Sequence, residues 1–204
     1  SWNSYSFIDR GQARIPNDTA NIVAVTAGEY HSAILRSSGT YSAFGQVSGM
    51  TYGQASSQAG VTGNAGIAAG YLNILLLQPD GTIVSWMDCV ASYSFQCSNL
   101  IDVVALSGSS NMSVYLAMRS DGTVTAWGSN YYGQTSVPVS LSNVLAIAAG
   151  GKHAVALRSD GTVTAWGAND FGQSTIPQHL SNAISVAAGY EHTVALKSDG
   201  TVIA

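Results

Sequence analysis

Charged side chains are scarce. Asp, Glu, Lys and Arg make up 9% of the 204 residues, against about 25% in an average soluble chain. Coiled coils and helical solenoids are charge-rich, so this shortage argues against both. The small excess is acidic, net −4, which offers no general attraction to phosphate and makes nucleic acid a poor partner. Long apolar runs are missing too. Stretches such as Ile74-Leu75-Leu76-Leu77 fall far short of the roughly 20 residues that span a bilayer, so no membrane insertion is expected. Only two cysteines occur, Cys89 and Cys97, too few for a zinc site and without CxxC spacing. A local disulfide between them and two separate buried thiols both remain open. Ser1-Trp2 opens the chain without a basic or apolar leader pattern, as expected of a mature, processed form or of a fragment.

Catalytic signatures are equally sparse. The chain has no Gly-x-Ser-x-Gly elbow, no His-Glu-x-x-His and no phosphate-cradling Gly-Lys-Ser/Thr segment, so a non-enzymatic role without cofactors is expected. Glu29 and Glu191 would act as a carboxylate pair only if the fold brought them within about 5–10 Å.

What the sequence does have is repetition, within a composition that is 46% hydrophobic and includes 22 glycines. Trp127-Gly128-Ser129-Asn130-Tyr131-Tyr132-Gly133-Gln134 returns 39 residues later as Trp166-Gly167-Ala168-Asn169-Asp170-Phe171-Gly172-Gln173. Leu141-Ser142-Asn143 returns as Leu180-Ser181-Asn182, and Ser159-Asp160-Gly161-Thr162 as Ser198-Asp199-Gly200-Thr201. Weaker copies precede these. The Trp position is filled by Trp2, Phe44, Trp86, Trp127 and Trp166, and the Gln position by Gln12, Gln54, Gln96, Gln134 and Gln173. The glycine that closes a run of small residues falls at Gly28, Gly70, Gly108, Gly150 and Gly189. Five repeats therefore fill one domain, 1–204, with units at 2–43, 44–85, 86–126, 127–165 and 166–204.

Each repeat reads as four short strands. In the fourth, strand A is Val144 to Ala149, strand B begins at His153, and strand C ends at Trp166; strand D follows Gly172-Gln173. The Ser-Asp-Gly-Thr between B and C is hairpin chemistry, because Gly takes the positive φ such turns require. Four-stranded meanders at a period near 40 describe an all-β propeller.

The repeat resembles the regulator of chromosome condensation family in its bacterial-type form. The Trp-Gly-x-Asn-x-x-Gly-Gln and Ala-x-Gly-x-x-His segments of that family stand intact in the last two copies. The resemblance implies a β-propeller, typically of seven blades. Some members are nucleotide-exchange factors for small GTPases, and a bacterial relative inhibits β-lactamase through protein–protein contact. Five repeats imply either a closed five-bladed ring, with the segment after Trp2 pairing with the C-terminal strand, or a fragment of a seven-bladed parent.

A meander delivers its A–B turns and C–D loops to one rim and its B–C and D–A turns to the other. The first rim collects Tyr5, Phe7, Tyr30, Tyr52, Tyr71, Tyr93, Phe95, Tyr131, Tyr132, Phe171 and Tyr190, eleven of the fourteen Tyr and Phe residues. Tyrosine offers large amphipathic contact area at low entropic cost, so this rim is the expected ligand face, with some rings packed between blades instead. Its formal charge is −3, from Asp9, Glu29, Asp88, Asp170 and Glu191 against Arg10 and Lys152. A neutral or basic ligand is therefore expected. Arg14, Arg36, Arg119, Arg158 and Lys197 lie on the opposite rim. His31, His153 and His192 share one repeat position with Asn73 and Asn111, which points to a structural hydrogen bond rather than metal ligation. The repeated Gln is expected to satisfy backbone groups between blades. The leading expectation is a monomeric protein-binding propeller and the alternative a multivalent lectin; low charge with abundant Ser, Gly, Asn and Tyr suits a secreted or extracellular setting.

Overall fold

The computed structural model describes residues 19–29, 31–45, 62–71, 73–86 and 100–204. These residues fold into five antiparallel sheets in chain order, with no helix among them. The first sheet is β1 (Ile22–Ala27), β2 (His31–Arg36) and β3 (Tyr41–Gly45). The second is β4 (Gly66–Ala69), β5 (Ile74–Leu77) and β6 (Ile83–Trp86). The third is β7 (Val103–Gly108), β8 (Val114–Arg119) and β9 (Val124–Gly128). The fourth is β10 (Val144–Ala149), β11 (His153–Arg158) and β12 (Val163–Gly167). The fifth is β13 (Ala183–Ala188), β14 (Thr193–Lys197) and β15 (Val202–Ile203).

Among the described residues each sheet has three strands. The segments directly after Gln12, Gln54 and Gln96, each expected to form a fourth, lie outside the described residues, and only those after Gln134 and Gln173 bear on that expectation. The segments after Gln134 and Gln173 run in turns through Val137-Pro138 and Ile176-Pro177 instead of forming strand D. Proline lacks the N–H a ladder needs, and a side chain fixes the chain just before it: Asn130 and Asn169 Oδ1 accept from the backbone N–H of Thr135 and Ser174. The expected pairing of the two chain ends involves residues before Thr19 and lies outside the described residues.

The hydrophobic core lies between sheets rather than within one. Middle strands such as β8 and β11 are buried on both faces over five of their six residues, and alternation sends successive side chains to opposite neighbours. Ala154 and Ala156 pack with Val114, Leu116 and Met118 of the third sheet. Val155 and Leu157 pack with Ala183 of the fifth. Large residues of one blade thus enter the space left by alanines of the next. The inner strands pack in chain order, β1 on β4, β4 on β7, β7 on β10 and β10 on β13. Packing of that extent is not found between β13 and β1 among the described residues. The ends of β1, β7, β10 and β13 nevertheless line one cavity of about 220 Å³.

Two repeated sequence features find their cause here. The Asn of Leu-Ser-Asn takes a left-handed conformation, φ 54° at Asn143 and 56° at Asn182, as do Asn21 and Asp102; Asn and Asp tolerate this region best among residues with side chains. In the Asp-Gly-Thr hairpin, Asp160 Oδ1 accepts from Thr162 N and Oγ1 at 2.9 and 2.6 Å. Those hydrogen bonds hold its carboxyl below the usual carboxylate range. The hairpin carbonyls of Gly81, Gly122 and Gly161 accept from the N–H of Val103, Val144 and Ala183, the first residue of the next inner strand. The hairpin rim thereby ties each blade to its successor.

Candidate functional site

The meander places A–B turns and C–D loops on the same rim. Lys152, from the A–B turn of the fourth sheet, lies 5.4 Å from the ring of Tyr132 in the loop before it and 5.2 Å from that of Tyr190 in the next A–B turn. Its Nζ donates to Glu191 Oε1 at 2.6 Å. The Glu191 carboxylate raises the Lys152 pKa, so the ammonium is retained between two rings, a cation–π arrangement. Around this pair Tyr131 is 80% exposed and Phe171 70%, and Tyr132 and Tyr190 remain partly open. Tyr71 is half-buried. Tyr5, Phe7, Tyr30, Tyr52, Tyr93 and Phe95 lie outside the described residues, as do Cys89 and Cys97.

These aromatics ride on rigid loops. Gln134 and Gln173 are buried, and their Oε1 atoms accept from Tyr132 N and Phe171 N at 2.8 and 2.9 Å. The glutamine side chain therefore fastens its own loop, not a neighbouring blade as expected. The bridge between blades comes from its backbone: Trp166 Nε1 donates to Gln134 O at 3.0 Å, and Thr193 Oγ1 to Gln173 O at 2.7 Å. Gly133 and Gly172, at φ 78° and 82°, allow the loop to turn back beneath the aromatic side chain.

Of the three histidines at the repeat position, His153 makes the expected structural hydrogen bond, whereas His31 is buried without a well-formed hydrogen bond to either ring nitrogen and His192 is exposed. His153 is fully buried, its Nε2 pairs with Thr193 Oγ1 at 2.8 Å across the blade junction, and its backbone carbonyl accepts from Gly150 N. Asn73 holds the same position in the second sheet, where Gly70 N donates to Asn73 O and the Tyr115 hydroxyl donates to Asn73 Oδ1. Asn111 does not belong to the series. In the third sheet Ser109 N donates to Val114 O, so Ser109 takes the place expected for Gly108 and Val114 that expected for Asn111. The A–B turn is two residues longer there, and the shared Asn concealed the shift. Among the described residues no group of three His, Cys, Asp or Glu side chains is placed to hold a metal.

Burial lowers the pKa values of His31 and His153, with His192 adding repulsion at His153. The sign follows from linkage. Unfolded histidine takes a proton near pH 6.5, whereas the folded sites resist it, so stability is lost as pH falls below about 6.5 and is flat above. Urea midpoints are expected to hold between about pH 7 and 8 and to fall toward pH 5. Exchange of both histidines for Asn is expected to flatten that slope; an unchanged slope contradicts the assignment.

One regularity went unseen in the sequence. The second residue of four inner strands sits at a β-bulge, which leaves Val23, Val104, Leu145 and Ile184 unpaired and 50–61% exposed. They form an apolar row next to the hairpin rim. The signal was an apolar residue two after each left-handed Asn or Asp.

Three segments, 107–134, 144–173 and 183–204, match the family model of the regulator of chromosome condensation (RCC1) repeat. No curated protein matches the sequence. Among solved structures the fold is similar to yeast RCC1 (Prp20), crystallised bound to Kap60, with 21% identity, TM-score 0.70, and coverage of 89% of this chain and 55% of that one. A second structure of Prp20p from Saccharomyces cerevisiae, described with its binding to Gsp1p and histones, matches at 21% identity and TM-score 0.70, covering 89% and 57%. The CRINKLY WD40 ectodomain of the Arabidopsis thaliana receptor kinase ACR4 matches at 18% identity and TM-score 0.64, covering 87% and 59%. The chain thus spans little more than half the length of these proteins. Repeat motif, sheet order and superposition agree: residues 107–134, 144–173 and 183–204 match the RCC1 repeat, and the chain has an all-β propeller fold similar to that of the solved RCC1 structures.

Proposed function

We propose that the chain is a non-enzymatic protein-binding propeller that docks its partner on the aromatic rim. One observation carries the reading: Tyr131, Tyr132 and Phe171 stand exposed on loops whose backbones are fixed by buried glutamines, with Tyr190 exposed on the adjoining A–B turn. Rigid, exposed aromatics supply contact area without the entropy of ordering a loop. RCC1-type neighbours are consistent with this, since Prp20 was crystallised with a protein, Kap60. Low charge with abundant Ser, Gly, Asn and Tyr suits a setting outside the cell.

A lectin is the second reading. It is favoured by the cavity of about 220 Å³ at the axis, where Ser109, Ser110, Asn111 and Tyr190 offer hydroxyl and amide groups. A glycan array run beside protein capture from the source organism separates the two. Capture of one stoichiometric protein, lost when Tyr131 and Tyr132 are both Ala, supports docking. Saturable sugar binding that survives that change, with no protein captured, contradicts it.

A further inference from the structure

The rim already holds one ammonium of its own, and the repeat builds a similar aromatic seat one unit further on, with no cation over it among the described residues. The loop at 167–173 repeats the main tethers of that at 128–134, with Phe171 N on Gln173 Oε1 and Ser174 N on Asn169 Oδ1 matching Tyr132 N on Gln134 Oε1 and Thr135 N on Asn130 Oδ1. Phe171 therefore stands after the fourth sheet where Tyr132 stands after the third. Lys152 precedes His153, and in the next repeat the residue before His192 is Glu191. Beside Phe171 there is thus a carboxylate where Tyr132 meets an ammonium, and Phe171 and Glu191 line one cavity of about 180 Å³. Asp170, exposed, adds a second acid where the loop after the third sheet has Tyr131. Phe171 stays 70% exposed while Tyr132, with Lys152 over its ring, is 42% exposed.

We infer that Phe171, Asp170 and Glu191 form a subsite for a lysine or arginine side chain of the protein partner. The inference rests on the rim being the docking face. Charge selects the occupant: Lys152 is the one cation among the described residues of this rim, and it is already shared with Glu191. Asp170, exposed beside Phe171 in the loop, remains to attract a positive group, and an aromatic face beside a carboxylate suits a cation better than a neutral residue.

The probe is the peptide acetyl-Gly-Arg-Gly-amide, titrated into the labelled chain at about pH 7.5 and followed by amide chemical shifts, with the citrulline peptide as its uncharged match. Saturable shifts at 170–173 and 190–192 are expected with arginine and not with citrulline. Phe171→Ala and Asp170→Asn are each expected to weaken the arginine peptide by about 3–5-fold, with the remaining spectrum unchanged. Equal shifts from citrulline, shifts confined to the hairpins, or variants that bind as well as the parent would overturn the subsite. Failure of the rim reading shows separately, as partner capture indifferent to Tyr131 and Tyr132.

Discussion

Trp166→Ala is expected to destabilise the chain by about 3–5 kcal/mol. The indole is 7% exposed in a cluster that joins the third and fourth blades. Its Nε1 also donates to Gln134 O, the backbone group at the base of the Tyr131–Tyr132 loop. Removing it opens a cavity at a blade junction and leaves that carbonyl without its indole donor. Trp166→Phe keeps most of the packing and loses the hydrogen bond, so it should cost far less. Urea unfolding of both variants checks this. A loss under about 1 kcal/mol for the alanine variant would mean that the junction does not depend on the indole.

The second large effect concerns binding. Tyrosines at the centre of an interface are each worth about 2 kcal/mol or more, roughly thirtyfold in affinity. Joint replacement of Tyr131 and Tyr132 by Ala is expected to reduce partner affinity by at least that factor. Tyr131 is 80% exposed and makes little contact to lose, so folding should survive. Tyr132→Ala also uncovers Lys152, and some of its effect arises there. Arg119→Ala with Arg158→Ala, on the hairpin rim, should change affinity little. Calorimetric titration of the captured partner against both pairs checks the contrast.

Much of this was legible because the repeat states each rule several times. The strand at Val144 to Ala149, the hairpin at Asp160-Gly161 and the gathering of Tyr132 and Lys152 on one rim all follow from spacing and the alternation of a meander. Four features escaped for identifiable reasons. Strand D was inferred from the meander pattern, while Asn130, Asn169 and the prolines hold that segment in turns. Asn111 matched its neighbours in residue type, but register depends on which carbonyl Ser109 reaches, and spacing alone does not reveal that. The exposed row at Val23, Val104, Leu145 and Ile184 reads as ordinary strand hydrophobicity until the bulge before it is known. The mutual placement of Lys152, Glu191 and Tyr190 depends on contact across two blades, which no local pattern encodes.

Hydrogen exchange of the chain with and without its captured protein partner tests the central claim most directly, because it reports the contacted rim whatever the partner is. Protection is predicted at 129–133, 150–152, 168–172 and 189–191, with the hairpins at 119–123 and 158–162 unchanged. Protection of those hairpins, with the aromatic loops exchanging as in the free chain, would place the partner on the opposite rim and contradict the account.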